Sequence, residues 1–254
     1  MFANMLNIYS DDRRHLNTDC DFTLDTRGFW DDYWDNNEYG KIKKDPDEKS
    51  DALRRSQMAL YNGRSLPDGS KMDLVFDFKP LLNWNGIKLS SDTIITMLNF
   101  KNYAVMDRLK DDERFRPAVE RFMHRIYTIA GEILFPKHSG SINQIRGSSV
   151  SDRFDLTLLC IQKYYEGFND LPGGMGTLLD VIKGDSFFFD AFGDFKGYVD
   201  FFFLNDLVDN NYDTVLWVDN TERPSEDEYE TFMKNQMEFF EKRKKRISEY
   251  VLPE

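Results

Sequence analysis

The sequence predicts an α+β fold: a single, mainly helical domain with a small antiparallel sheet and a long C-terminal helix. Three observations lead there. Apolar residues recur every three or four positions through much of 112–250, the period of a helix with one buried face. Upstream, MDLVFDF alternates, and WNGIKLSS places Asn85-Gly86 between apolar residues, the pair that a tight hairpin turn prefers. Finally, Ser225 and Glu228 form a capping-box pattern ahead of an apolar side made by Tyr229, Phe232, Met233, Phe240, Ile247 and Tyr250.

The elements follow in order. Residues 1–50 are an extension expected to pack on the core, and 51–254 form the domain. Within the extension FTLDT alternates like a strand, Phe29, Trp30, Tyr33 and Trp34 have helical spacing, and the polar run 36–49 reads as a linker. Ser50 is an N-cap for a helix with Leu53, Gln57, Leu60 and Tyr61 on one side. Strands are expected at 73–78, 80–84 and 87–90, with Pro80 marking an edge, and Ser90 or Ser91 is expected to cap a helix through SSDTIITMLNF. A helix from Asp112 shows Phe115, Val119, Phe122, Met123, Ile126 and Ala130, and EILFP reads as a short buried strand. KHSGSINQIRGSS is a loop by composition, and Ser149 with Asp152 forms a capping box for a helix bearing Phe154, Leu158, Ile161 and Tyr165. TLLDVI is a short helix. Phe188, Phe192, Phe195, Val199 and Phe202 form a helical stripe, which Gly193 and Gly197 either break or open to a close neighbour. TVLWV is expected as a strand.

Composition narrows the function classes. Hydrophobic residues make up 41% and aromatics 15%, with 22 Phe, which is enough for a sizeable core and excludes disorder throughout. The net charge of -12 repels phosphate backbones at long range, so broad nucleic-acid binding is disfavoured. Cys20 and Cys160 make no disulfide framework. No window resembles a secretory signal or a membrane span, so the expected location is the cytoplasm.

The best candidate for chemistry is the stretch 137–147. Lys137, His138, Ser139, Ser141, Asn143, Gln144 and Arg146 bring charge and directed donors together within ten residues, as an anion site requires. Gly140 and Gly147 let the backbone approach a ligand. The competing reading is a polar surface loop. Arg153 and Asp155 lie on the helix that follows; Asp190, Asp194, Lys196 and Asp200 punctuate the aromatic stripe, where a carboxylate beside Phe rings either acts as an acid or base or pairs with Arg146 or Arg153. DLPGGMGT lacks the Gly-Lys-Ser/Thr ending of a phosphate loop, and the three histidines lack zinc spacing, so no metal is assigned. KRKKR (242–246) reads as a solvated helix face.

LRRSQMALYNGRSLPDGSKMDL, KLSSDTII, YTIAGEILFPKHSGSINQIRG, SDRFDLTLLCIQKYY and GDFKGYVDFFFLNDLV resemble a family of uncharacterised bacterial proteins over about 53–218. The resemblance implies a bacterial, intracellular, single-domain protein and carries no activity, cofactor or catalytic residue. The expectation is therefore recognition of a phosphate-bearing or otherwise anionic ligand, such as a nucleotide, at 137–153, with no cofactor assigned. The rival class is a non-enzymatic module that binds a protein partner or a second copy through its Phe-rich stripe and the aromatic N-terminal segment.

Overall fold

The computed structural model of the chain describes residues 18–22, 46–78, 80–94, 124–219, 221 and 226–251. The expected strand beyond Phe22, the aromatic turn at 29–34, most of the helix from Asp112 and the cap at Ser225 lie outside these residues, as do the side chains of Tyr229 and Met233.

Two helices open the described core. The short α1, Pro46–Lys49, lies within the run expected as a linker. Then α2, Asp51–Tyr61, starts at Ser50, whose Oγ accepts the Leu53 amide at 3.0 Å. Leu53, Gln57, Leu60 and Tyr61 are all buried, as their spacing requires.

The sheet is a four-stranded antiparallel meander: β1 Leu74–Phe76, β2 Leu82–Trp84, β3 Ile87–Thr93 and β4 Glu132–Pro136. Asn85 and Gly86 both take positive φ (51° and 85°), which gives the turn the twist of its flanking strands, and Trp84 pairs with Ile87 beyond it. One expectation fails here. Ser90 and Ser91 cap no helix, because β3 runs on to Thr93 and pairs with all of β4. Backbone pairing along a fully buried β4 outweighs the local preference of serine for a cap.

Past β4 come α3 Ile142–Val150, α4 Phe154–Tyr165, α5 Gly174–Gly184, α6 Ser186–Asp190, α7 Phe195–Phe201 and α8 Glu226–Val251. The expected loop is thus helical from Ile142 on. Ile142, Arg146 and Val150 form its buried face, so the amphipathic stripe contains an arginine that composition alone reads as exposed. The Ser149/Asp152 box does not form: Ser149 lies inside α3, Asp152 turns the chain at φ 58°, and Arg153 holds the N-cap position of α4 without a side-chain capping bond. TVLWV is no strand; Thr214 joins only an isolated bridge to Val208.

Helix α5 packs against both α3 and α4. At Gly174 the approach is so close that a Cβ would fall 1.8 Å from the Ser149 carbonyl oxygen. The aromatic stripe breaks at Gly193 (φ 77°) into α6 and α7, and Phe188, Phe192, Phe195, Val199 and Phe202 all enter the core. There Phe192 meets Tyr198, Phe201 and Phe202 at centroid distances of 5.0–5.4 Å. These rings therefore lie inside the chain's own core. The long helix α8 closes the fold against the 3-10 turns Ile129–Gly131 and Asn205–Leu207. Among the described residues no helix is long and apolar enough to cross a membrane.

Candidate functional site

After β4 the chain must reverse to lay α3 on the sheet. The Lys137 amide still bonds the Lys88 carbonyl at 2.7 Å, and Gly140 then supplies a positive φ of 76°. Ser141 occupies the N-cap position of α3 but gives no capping bond. Gln144 reaches back instead, its Oε1 accepting the Gly140 amide at 2.7 Å.

One face of α3 is bound to β3 along its length. Asn143 donates from Nδ2 to Ser90 Oγ at 2.9 Å and to the Ser91 carbonyl at 3.2 Å. One turn on, Arg146 pairs with Asp92 and donates to the carbonyls of Thr93 (2.9 Å), Ile94 (3.0 Å) and Asp152 (3.2 Å). Arg146 is buried, and its guanidinium ties β3 to the end of α3.

In front of this seam lies a cleft of about 450 Å³, a size suited to a small metabolite. It is lined by Asp47 and Glu48 of α1, Pro80 and Leu81, Ser90 to Asp92 of β3, Lys137, and Asn143 and Gln144 in the first turn of α3. Asp47 also joins α1 to β3 by accepting the Thr93 amide at 3.2 Å. Burial pushes the Asp92 carboxyl up to about 6, against the opposing pull of Arg146. The cleft therefore offers one ammonium, three carboxyls, two amide side chains and two serine hydroxyls.

Of the residues singled out from sequence, Lys137, Asn143 and Gln144 meet at this cleft, and Arg146 stands behind it. The others do not line it. Ser141 is buried beneath the start of α3. The His138 ring is half exposed and bonds Asp185 at 2.9 Å; its backbone bond to Ser139, then Asp185, raises its pKa. Arg153 and Asp155 are fully buried and pair with each other, at 3.1 Å from Nε and 2.5 Å from Nη2. Asp155 also accepts the Trp217 amide at 2.9 Å, which fastens the irregular 214–218 segment to α4. Asp194 caps α7 by accepting the Gly197 amide at 2.7 Å, and Lys196 pairs with Asp200 at the surface. Asp190 takes the Tyr164 hydroxyl at 2.5 Å. The stripe carboxylates thus cap a helix or bind a phenol, and Arg146 and Arg153 find their acids elsewhere.

Sequence reading missed Asp47, Glu48, Ser90, Ser91 and Asp92. The first two open a four-residue helix inside an apparent linker, and the other three belong to a strand whose length becomes clear only once β4 is paired with it. A second hollow of about 380 Å³ involves Asp19, His124, Arg125, Glu241 and Lys244. Its cations already face acids, Arg125 on Glu241 at 3.5 Å and Lys244 on Asp19. Among the described residues no group of three His, Cys, Asp or Glu is placed to hold a metal ion.

No curated protein and no solved structure matches the chain. A family model does, from residue 17 to 247, beyond the motif-bearing span on both sides. The chain belongs to DUF6994, a family of unknown function.

Proposed function

We propose that the chain binds a small polar metabolite in the cleft at the start of α3, with an anionic group of that ligand on Lys137 and the first turn of the helix. The observation that carries this reading is the convergence of Lys137, Asn143 and Gln144 on one recess of about 450 Å³. The first-turn amides of a helix favour negative charge, and a lysine beside them adds a mobile point charge. This narrows the anion site expected over 137–153 to its leading end. Arg146 and Arg153 support the walls rather than the ligand, since Nη1 and Nη2 of Arg146 are engaged with Asp92 and backbone carbonyls and Arg153 is engaged with Asp155.

A thermal-shift panel of nucleotides, sugar phosphates, aminoalkyl phosphates, inorganic phosphate and small carboxylates tests the reading. At least one member is expected to raise Tm, and Lys137→Ala is expected to abolish that rise. A panel without effect, or an equal rise in the variant, refutes it. Arg146→Ala is a poor control, because it removes a buried cross-link as well as a charge.

A further inference from the structure

The cleft has two chemically unlike parts. Among the residues that line it only Pro80 and Leu81 are apolar, and both come from the connection between β1 and β2. The rest of its wall is polar or charged, with Lys137 and the first turn of α3 as the part suited to an anion.

The same connection carries Phe78, whose side chain is 87% exposed, the most open large hydrophobic among the described residues. A lone exposed apolar side chain is ordinary on a protein surface. This one is held in place at the rim of the cleft. The Leu81 amide donates to the Phe78 carbonyl at 2.7 Å, and a bond between residues three apart keeps their Cα atoms within about 7 Å of each other. The Phe78 amide donates to Asp77 Oδ1 at 2.7 Å, the Asp77 amide to the Leu81 carbonyl at 3.1 Å, and Arg54 Nη1 to the Asp77 carbonyl at 3.0 Å. Arg54 also lies over the Phe76 ring, 4.6 Å from its centroid. Phe78 has no ring or cation contact among the described residues.

An aromatic ring on a backbone already fixed gives up little freedom when a ligand covers it. The shape of the site also selects what covers it. The Phe78 ring stands open, without side walls. An aliphatic chain needs walls to leave water, whereas a planar ring laid on another buries a whole face in one contact and gains from offset stacking besides. We infer that Phe78 stacks on a planar base of the ligand whose anionic group sits at Lys137, so that the cleft takes a nucleotide: phosphate at α3, sugar within the recess, base leaving past Pro80 and Leu81 onto Phe78. This rests on the anion reading above and names both its ligand class and the residue that selects it.

Isothermal titration of the full chain with adenosine monophosphate, ribose 5-phosphate and octyl phosphate tests the inference. These probes share a phosphate and differ in what extends from it. Adenosine monophosphate is expected to bind roughly tenfold tighter than ribose 5-phosphate, the effect of one base stacked on one ring. Phe78→Ala is expected to bring it down to the level of ribose 5-phosphate and to leave ribose 5-phosphate itself unchanged, while Phe78→Trp keeps the preference. The ring lies outside the core, so neither variant is expected to shift the urea midpoint. If the two sugar phosphates bind equally and Lys137→Ala abolishes both, the anion reading stands and the stacking inference is overturned. A preference for adenosine monophosphate that survives Phe78→Ala overturns it too, because the base then lies elsewhere. Octyl phosphate binding tighter than adenosine monophosphate overturns it in favour of an aliphatic ligand. If no probe binds while another anion of the thermal-shift panel does, only the stacking inference fails; if none of either set binds, both readings fail.

Discussion

Arg243 offers the sharpest test of how this fold is held. It belongs to KRKKR, which reads as a solvated face, yet its side chain is fully buried. Its guanidinium donates to the carbonyls of Ala130 (2.6 Å), Glu132 (2.9 Å), Phe202 (3.2 Å) and Ile129 (3.4 Å), and to the Tyr61 hydroxyl at 3.3 Å. Arg243→Ala strips these acceptors at once. The two shortest bonds, at about 1.5–3 kcal/mol each for a charged donor, put the loss near 3–6 kcal/mol before water entering the new space offsets part of it. We take about 4 kcal/mol, a large share of the ~5–15 kcal/mol that holds a typical domain. With a urea slope of about 3 kcal/mol/M, the midpoint falls by about 1.3 M. Arg243→Lys keeps the charge but loses the planar fork, so its midpoint is expected between the two. The measurement is urea denaturation followed by circular dichroism. An alanine midpoint within about 0.3 M of wild type would show that the carbonyls find other donors and that the guanidinium is dispensable.

Four further outcomes follow from particular contacts. Because the folded Asp92 carboxyl titrates near 6 rather than at the ordinary 3.8, the native state holds its proton more tightly than the unfolded chain. Its contribution is fully present below about pH 4 and is lost as pH rises through about 6, by at most about 3 kcal/mol; urea midpoints of wild type and Asp92→Asn should diverge across that window, and parallel curves would contradict the assignment. Gly174→Ala pushes a Cβ against the Ser149 carbonyl and should cost at least about 2 kcal/mol, which differential scanning calorimetry would register as a lowered Tm. Asp194→Ala removes the α7 cap and should cost about 1 kcal/mol by urea denaturation. Burial pushes the Cys160 thiol up to about 12, so in a Cys20→Ser variant alkylation near pH 8 should wait for unfolding; rapid native labelling would contradict its burial.

Much of this architecture was legible because it is written in local chemistry. Ser50 caps α2, Asn85-Gly86 turns β2 into β3, and the Phe residues of 188–202 point inward, each for reasons contained within a few neighbouring residues. The buried arginines escape a local reading, in which a polar or charged side chain is a sign of exposure. Arg146 and Arg243 sit at helical spacing among apolar residues, and their burial depends on acceptors 52–54 and 41–182 positions away. No window of sequence contains those partners. The cleft was half visible for the same reason. Lys137, Asn143 and Gln144 lie in one readable motif, whereas Asp47, Glu48 and Asp92 join them only through the β3–β4 pairing and the contact of α1 with β3.

The Arg243 contacts also bear on how the polypeptide matures. Its acceptors at Ala130 and Glu132 are translated 113 and 111 residues before their donor exists. Until then those peptide oxygens must stay hydrated, which keeps the nascent segment around them from drying into a settled interior. Final consolidation around these carbonyls is thus deferred to the arrival of α8.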